Sequence, residues 1–329
     1  WETGMQHPTR LSWYVITVAA LILPGAFSSP SVAGMRQDLN SCTAAQGAAS
    51  AAACTRVMNS GRLPRAQFYI GYFNRGSAYR RAGDTNRALA DFNRVLKRKP
   101  GFVRGHIMRA VTYDDLGDRA KALADLNEAV RRDGKSWSAL FIRATVLRAE
   151  KRYDDALDDL RKASKLKPDK VKLRLLRALI LADRGDVAEA RDEINDVITE
   201  GNGIPEAFYV RAEIAFAENR LDAARTDVDK AIKRAPKLVA AHALKGRILD
   251  ARGDAAGAKE AYRKARDLPV DGFEVRPARR LATAGLSTAA ASSKPAKTSD
   301  VALNASTGKV ECKRFLPATG TIITADCDD

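Results

Sequence analysis

The sequence predicts an all-α solenoid of stacked helical hairpins, because three residue types recur together every 34 residues. An alanine recurs six times without insertion, at Ala88, Ala122, Ala156, Ala190, Ala224 and Ala258. A small residue stands twelve positions before each alanine, from Gly76 to Gly246, and an apolar residue stands four positions after it, from Phe92 to Tyr262. Apolar residues spaced by three and four positions indicate amphipathic helices, and the small residues allow two helices to approach closely.

Each unit is expected to be a pair of antiparallel helices. Gly-Asp turns such as Gly83-Asp84 join the two helices, and prolines such as Pro100 end the second one. Lys151-Arg152 and Asn219-Arg220 replace the Gly-Asp turn in two units, where a different local turn geometry is expected. One pair cannot bury its apolar stripe, so the units must stack into a superhelix with a continuous core.

These marks resemble the tetratricopeptide repeat family. Residues 74–100 carry the small, aromatic, Gly-Asp, Ala, aromatic and Pro marks of that family in order. The resemblance implies a right-handed superhelical solenoid of six repeats over residues 69–270. The arrangement of an N-terminal cysteine pair, repeats and a cysteine-bracketed tail also resembles exported family members of α-proteobacteria.

Residues 1–33 are predicted to form a secretory signal, of which the first four precede the first methionine. Residues 11–27 form an apolar run, and small residues before Gly34 offer a cleavage site. An uncleaved membrane anchor is the alternative, since the run is almost long enough to span a bilayer. Pro24 and the small residues favour cleavage. We therefore expect an exported, periplasmic protein, or a membrane-anchored one if the signal is not cleaved.

The four cysteines lie in two pairs, one near each end of the chain. Their even number indicates disulfides formed in an oxidising compartment, with free thiols or a metal site as alternatives. A four-cysteine zinc site needs closely spaced pairs, and spacings of 12 and 15 do not supply them. The expected disulfides are Cys42–Cys54 and Cys312–Cys327, and no metal or cofactor is expected.

The repeats are expected to be flanked by smaller elements. Residues 34–68 predict a degenerate half-repeat that caps the array, with residues 50–61 as its second helix. Residues 271–286 predict a C-terminal cap. Residues 287–308, rich in Ala, Ser, Thr and Lys, predict a flexible linker. Residues 309–329 predict a small hairpin closed by the second cysteine pair.

A basic residue precedes the small residue of each predicted first helix. In five units an acid follows it sixteen residues later, and in the sixth unit Lys245 and Ala261 stand at these positions. One interpretation is a basic ladder that binds an acidic ligand, and the other is an internal salt bridge. Because both partners change together in the sixth unit, the salt bridge is favoured. The pairs are Arg75 with Asp91, Arg109 with Asp125, Arg143 with Asp159, Arg177 with Glu193, and Arg211 with Asp227.

The residues two positions before each of these arginines are predicted to line the concave groove of the solenoid, because the family resemblance places the inner surface there. These residues are Phe73, Ile107, Phe141, Leu175 and Tyr209. Ordinary packing between helices is the alternative, because apolar residues at helical spacing are commonly core. The groove interpretation predicts a scaffold or adaptor for a protein or peptide partner, with affinity from apolar anchors and selectivity from charges at the rim.

The net charge of +16 is unevenly distributed along the chain. Residues 69–102 carry eight basic residues against Asp84 and Asp91 only, so an acidic partner is expected at this end. This basic patch comprises Arg80, Arg81, Arg87, Arg94, Lys97, Arg98 and Lys99. Alternative functions are binding to an anionic envelope polymer or membrane surface, and self-assembly. Nucleic acid is disfavoured, because aromatic residues are not interleaved with the basic runs and the signal directs the chain out of the cytoplasm.

No arrangement of residues predicts an active site, so the protein is not expected to be an enzyme. His106 and His242 occupy the same position of their repeats, where a large side chain fills the helix pair. Acidic pairs such as Asp114-Asp115 are expected on solvated helix faces near arginines.

Overall fold

A computed structural model describes residues 30–44, 47–61, 63–201, 203–268, 284–286, 311–316 and 321–326. The helices belong to one compact unit and the two strands to another. None of the described helices combines the length and the apolar character that crossing a membrane requires.

Fourteen α-helices follow one another along the described part of the first unit. They are α1 (Pro30–Ala44), α2 (Gly47–Asn59), α3 (Phe68–Arg81), α4 (Thr85–Arg98), α5 (Val103–Asp115), α6 (Arg119–Arg132), α7 (Trp137–Ala149), α8 (Tyr153–Leu166), α9 (Val171–Arg184), α10 (Val187–Glu200), α11 (Pro205–Ala217), α12 (Leu221–Arg234), α13 (Val239–Ala251) and α14 (Ala255–Asp267). Six helix pairs, from α3 with α4 to α13 with α14, reproduce the predicted 34-residue repeat. The predicted all-α solenoid is confirmed.

The close approach within each pair depends on a match between two side chains. The ring of Phe92 packs tightly on Gly76, where an added Cβ would lie 3.0 Å from the ring. At Gly246 a Cβ would lie only 2.3 Å from the ring of Tyr262. In the four central repeats the second helix carries Leu, Ile or Val at this position, and the first helix carries a fully buried alanine. Aromatic residues therefore pair with glycine, and aliphatic residues pair with alanine.

The turns inside the repeats share one backbone conformation. Gly83 and Gly117 adopt φ values of +87° and +83°, in the left-handed region that glycine occupies freely. Lys151 and Asn219 adopt φ values of +59° and +57° at the equivalent positions. The expectation of a different turn at these two sites is therefore wrong. Packing of the flanking helices holds the turn in place, and the cost falls on the two residues that carry a Cβ.

The two helices of each repeat lie in different layers. Consecutive first helices contact each other, from α3 with α5 to α11 with α13. Consecutive second helices make no substantial contact within the described residues. Since helices approach more closely on the inside of a curve, the first helices form the concave face of the repeat unit.

The N-terminal cap is a complete helix pair rather than a half-repeat. A disulfide joins Cys42 on α1 to Cys54 on α2, as predicted, and both cysteines are buried. Helix α2 in turn packs on α3. Helix α1 begins at Pro30, so the predicted cleavage before Gly34 falls inside its first turn.

The C-terminal elements are described only in part. Residues 284–286 form one helical turn, and Leu286 packs against the cluster around Tyr262. Strands β1 (Glu311–Leu316) and β2 (Thr321–Asp326) pair antiparallel, with Glu311 opposite Asp326. Most of the predicted cap and the whole predicted linker lie outside the described residues. Cys327 also lies outside them, so the second disulfide stays a prediction.

Candidate partner-binding groove

The arginines of the predicted salt-bridge ladder each hold one carboxylate of their own repeat. In the second repeat, Nε and Nη2 of Arg109 donate to the two oxygens of Asp125 at 2.7 Å each. Nη1 of Arg109 donates to the side-chain oxygen of Asn93, on the preceding second helix, at 2.8 Å. Arg143 and Arg211 repeat this pattern, Arg75 replaces the asparagine contact by one to Thr55, and Arg177 pairs with Glu193. Arg75, Arg109, Arg143 and Arg211 thus tie consecutive second helices together.

The sixth repeat keeps an ion pair by moving the carboxylate. Lys245 donates to Asp229 at 2.7 Å, and Asp229 lies on the second helix of the fifth repeat. Asp229 stands at the position of the fifth repeat that is equivalent to Asn93 of the first. Lys245 therefore keeps an ionic partner, although position 261 carries no acid. The missed signal was an acid sixteen residues before the lysine, where three other repeats carry asparagine.

The five predicted groove residues divide into two groups. Phe73, Ile107 and Phe141 are only 8, 6 and 6% exposed. They pack in the core between helices, as Phe73 does against Phe102 with ring centroids 5.3 Å apart. Leu175 and Tyr209 are half-buried, so part of each side chain faces solvent. Among the five predicted positions, those of the fourth and fifth repeats are therefore the more exposed.

An apolar strip lies on this part of the concave face. It comprises five half-buried residues on α9 and α11: Leu175, Leu179, Ala182, Tyr209 and Phe216. On α9, Leu179 and Ala182 follow Leu175 by four and seven positions, and on α11 Phe216 follows Tyr209 by seven. This spacing places the residues of each helix on one helix face. Sequence reasoning took one position per repeat and missed Leu179, Ala182 and Phe216. The same helical spacing would have found them.

Ion pairs between consecutive first helices border the apolar strip. On one side Arg148 Nε donates to Asp183 at 2.6 Å, joining α7 to α9. On the other side Arg247 Nη1 donates to Glu213 at 3.1 Å, joining α13 to α11. The guanidinium of Arg247 also lies 4.5 Å from the ring centroid of Phe216. The strip therefore has a polar rim on both sides along the superhelix.

Tyr209 connects the apolar strip to this rim. Its hydroxyl donates to Glu213 Oε1 at 3.0 Å. Burial, together with the negative charge of Glu213, raises the pKa of the Tyr209 phenol well above its ordinary value. The positive charges of Arg148 and Arg247 oppose that shift, which places the two rim arginines near the phenol. At neutral pH Tyr209 is therefore a neutral hydrogen-bond donor within the groove.

The predicted basic patch on the first repeat is smaller than the sequence suggested. Arg80 is buried, and its Nη1 donates to the buried Asp115 at 2.8 Å. Arg80 therefore does not belong to the exposed surface, and Asp115 does not lie on a solvated face. Both corrections have one cause, because the first helices of repeats one and two press these side chains together. The remaining members are exposed: Arg81, Arg87, Arg94, Lys97, Arg98 and Lys99.

Tyrosines of α3 lie beneath the exposed cations of α4. The guanidiniums of Arg98 and Arg94 lie 4.9 and 5.6 Å from the ring centroid of Tyr72. Lys99 lies 4.6 Å from the centroid of Tyr69 and donates to its hydroxyl. The premise that aromatic residues are not interleaved with the basic ones is therefore wrong, because residues far apart in sequence meet when α3 and α4 pair.

Three sequence models described as tetratricopeptide repeat match residues 69–102, residues 107–171 with 209–271, and residues 147–214. Together these matches cover more than half of the chain. The chain belongs to the tetratricopeptide repeat family. Proteins of this family generally mediate protein–protein interactions and serve as scaffolds without catalytic activity of their own.

Solved structures agree with this tetratricopeptide fold. A tetratricopeptide repeat protein from Parabacteroides merdae is 20% identical, with a TM-score of 0.61, over 76% of this chain and 99% of its own. Yeast Tom70 is 15% identical, with a TM-score of 0.52, over 85% of this chain and 69% of its own.

A sequence relative matches only part of the chain. Human protein O-mannosyl-transferase TMTC1 is 33% identical over 86 residues, which are 26% of this chain and only 10% of the human protein.

The two histidines of this tetratricopeptide array, His106 and His242, are buried. His106 lies between Asp125 and the backbone oxygen of Pro100, at 3.0 and 2.9 Å. His242 bonds the backbone oxygen of Pro236 at 2.8 Å. No three His, Cys, Asp or Glu side chains within the described residues could share a metal ion.

Proposed function

We propose that this chain is a non-enzymatic adaptor that binds an extended segment of a partner protein on the apolar strip. One observation carries the proposal: Leu175, Leu179, Ala182, Tyr209 and Phe216 keep exposed apolar surface together on the concave face. The equivalent groove positions of the first three repeats, Phe73, Ile107 and Phe141, are buried. Half-buried apolar side chains that share a concave face favour a binding site in a protein whose family mediates protein–protein interactions.

The chemistry of the strip defines the ligand. A large apolar side chain of the partner would cover Leu179 and Phe216, with about 25 cal/mol gained for each Å² of apolar surface removed from water. Arg148, Glu213 and Arg247 would form hydrogen bonds with polar groups on either side of that anchor. The phenol of Tyr209 would donate to a partner carbonyl only by leaving Glu213. The expected ligand therefore combines one apolar anchor with flanking polar residues.

Selection of peptides from a displayed random library against the purified protein tests this function. Selected peptides should share a large apolar residue, and Leu179→Ala and Phe216→Ala should each weaken their binding by about tenfold. Leu116→Ala is the matched control, because Leu116 is an exposed leucine outside the strip. Binding would be followed by fluorescence anisotropy, and folding by thermal denaturation. Equal binding by all three variants, or a loss of stability that parallels the loss of binding, would contradict the proposal.

We propose further that the chain is exported and acts in the periplasm. The apolar run at residues 11–27 and the disulfide between Cys42 and Cys54 support this location. Fractionation of cells, N-terminal sequencing of the recovered protein and thiol labelling test it. Recovery from the cytoplasm with reactive thiols at both cysteines would contradict export. Recovery from the membrane fraction with an intact N-terminus would instead indicate the anchored form.

A further inference from the structure

The exposed side of α4 carries positive charge that its own acids do not neutralise. The helix contains one acidic residue, Asp91, which is buried. Asp91 already accepts two hydrogen bonds from Arg75, at 2.7 and 2.8 Å, and a third from Arg94 at 2.9 Å. Lys97 is exposed and makes no ion pair within the described residues. The guanidinium of Arg98 lies 4.9 Å from the ring centroid of Tyr72.

In the second repeat, the cations at the equivalent positions are paired with a carboxylate of the same helix. Glu128 on α6 binds both Arg131 and Arg132, at 2.6 and 2.5 Å. These two interactions lower the pKa of Glu128 to about 2. One repeat earlier, 34 residues back, the equivalent positions are Arg94, Lys97 and Arg98. The first repeat therefore carries a third cation where the second repeat carries the carboxylate that both cations share.

The tyrosine rings of α3 contact these cations through their faces, while Arg94 also donates to Asp91 and Lys99 to the Tyr69 hydroxyl. A ring attracts a cation through its quadrupole, so a guanidinium resting on it keeps N–H groups free for another acceptor. Tyr72 lies beneath Arg94 and Arg98, and Tyr69 lies beneath Lys99. We name the surface formed by Tyr69, Tyr72, Arg94, Lys97, Arg98 and Lys99 the basic–aromatic surface.

We propose that the basic–aromatic surface binds a run of acidic side chains in a partner protein, as a second site outside the groove. Charge complementarity carries the proposal, since four adjacent cations have only the buried Asp91 beside Arg94 and lack an equivalent of Glu128. A planar guanidinium matches a carboxylate with two parallel hydrogen bonds, and the rings fix the positions of these guanidiniums. Fixed arginines suit discrete carboxylates, whereas a lipid surface is contacted by mobile lysines as readily.

The proposal is tested with a fluorescent oligo-glutamate peptide and the purified protein. Arg94→Glu restores the arrangement of the second repeat and should weaken peptide binding by about tenfold, because it reverses a charge at the centre of the surface. Lys162→Glu changes the net charge equally at the equivalent position of the third repeat, where it should alter affinity less than about twofold. Binding by the unmodified protein should weaken as salt is raised.

Two further measurements keep the test decisive. Lys97→Glu should also weaken binding, and it removes no contact within the described residues, so a folding defect in Arg94→Glu would not obscure the result. Vesicles containing phosphatidylglycerol and a single-stranded oligonucleotide are measured alongside the peptide. Equal effects of Arg94→Glu and Lys162→Glu would overturn the proposal, and so would tighter binding to vesicles or oligonucleotide than to the peptide. Peptide selection on the apolar strip is unaffected by either result.

Discussion

Lys245 forms its ion pair with Asp229 across the boundary between the fifth and sixth repeats, with Nζ and Oδ1 2.7 Å apart. The other ladder arginines reach an acid of their own repeat and, in three cases, an asparagine at the position of Asp229. The ladder is therefore a link between neighbouring repeats, in which either side can supply the carboxylate. Since a solenoid is stabilised mainly by contacts between neighbours, we expect the ladder to act on cooperativity as well as on stability.

Replacing Asp125 should destabilise the array strongly. Asp125→Ala removes the buried carboxylate that Arg109 and His106 share, and breaking such a pair costs about 3 kcal/mol. Asp158→Ala is the control, because its ion pair with Arg161 is exposed and contributes less than about 1 kcal/mol. Urea denaturation followed by circular dichroism measures both. Similar losses in the two variants would contradict the buried role of Asp125.

Lys151→Gly should stabilise the third repeat. Lys151 adopts a φ of +59°, where a residue with a Cβ is strained, and glycine should recover about 1 kcal/mol. Lys151→Ala removes the same long side chain but keeps the Cβ, so it should give no such gain. If thermal denaturation shows equal gains for both variants, the backbone is not the cause.

Gly246→Ala should destabilise the sixth repeat. The added Cβ would lie 2.3 Å from Cε1 of Tyr262, and relieving the overlap should cost about 1–3 kcal/mol. Adding Tyr262→Leu recreates the alanine and leucine match of the second repeat and should recover part of the loss. An additive loss in the double variant, measured by urea denaturation, would show that the two positions are not coupled.

Stability should fall below about pH 6.5 in part through His242. Burial lowers the pKa of His242 from its ordinary value of 6.5, and the charges of Lys264 and Lys245 add to that effect. The folded chain therefore binds this proton more weakly than the unfolded chain does. The contribution is fully present above pH 6.5 and is lost as pH falls through the folded pKa. His242→Gln should make the free energy of unfolding less dependent on pH in this range, and an unchanged slope would contradict the assignment.

The repeated elements of the fold could be predicted because each repeat carries the same residue types at the same spacing. The alanine series, the small residue before it and the turn residues recur with one period, so helix pairs and their stacking follow from spacing alone. The partner of Arg80 could not be predicted in this way. Asp115 lies 35 residues away, and it reaches Arg80 only because two first helices meet at the concave face.

The candidate site shows the same division. The sequence predicted five equivalent groove residues, whereas the structure leaves Leu175 and Tyr209 half-buried and buries Phe73, Ile107 and Phe141. Whether such a residue faces solvent depends on the size of its neighbours in the adjoining repeat, as with Phe102 against Phe73. Burial is a property of the assembled stack, whereas the apolar period is a property of a single helix.

The sequence by itself determined the architecture, the number of repeats, the Cys42–Cys54 pair and the acid that faces each of five ladder arginines. Only the tertiary structure decided which charges remain exposed, which apolar residues stay open, and where Lys245 finds its carboxylate. The physical reason is the distance along the sequence between the residues that interact. Helix formation and pairing within one repeat depend on residues a few positions apart, whereas exposure and charge pairing depend on side chains that curvature brings together from different repeats.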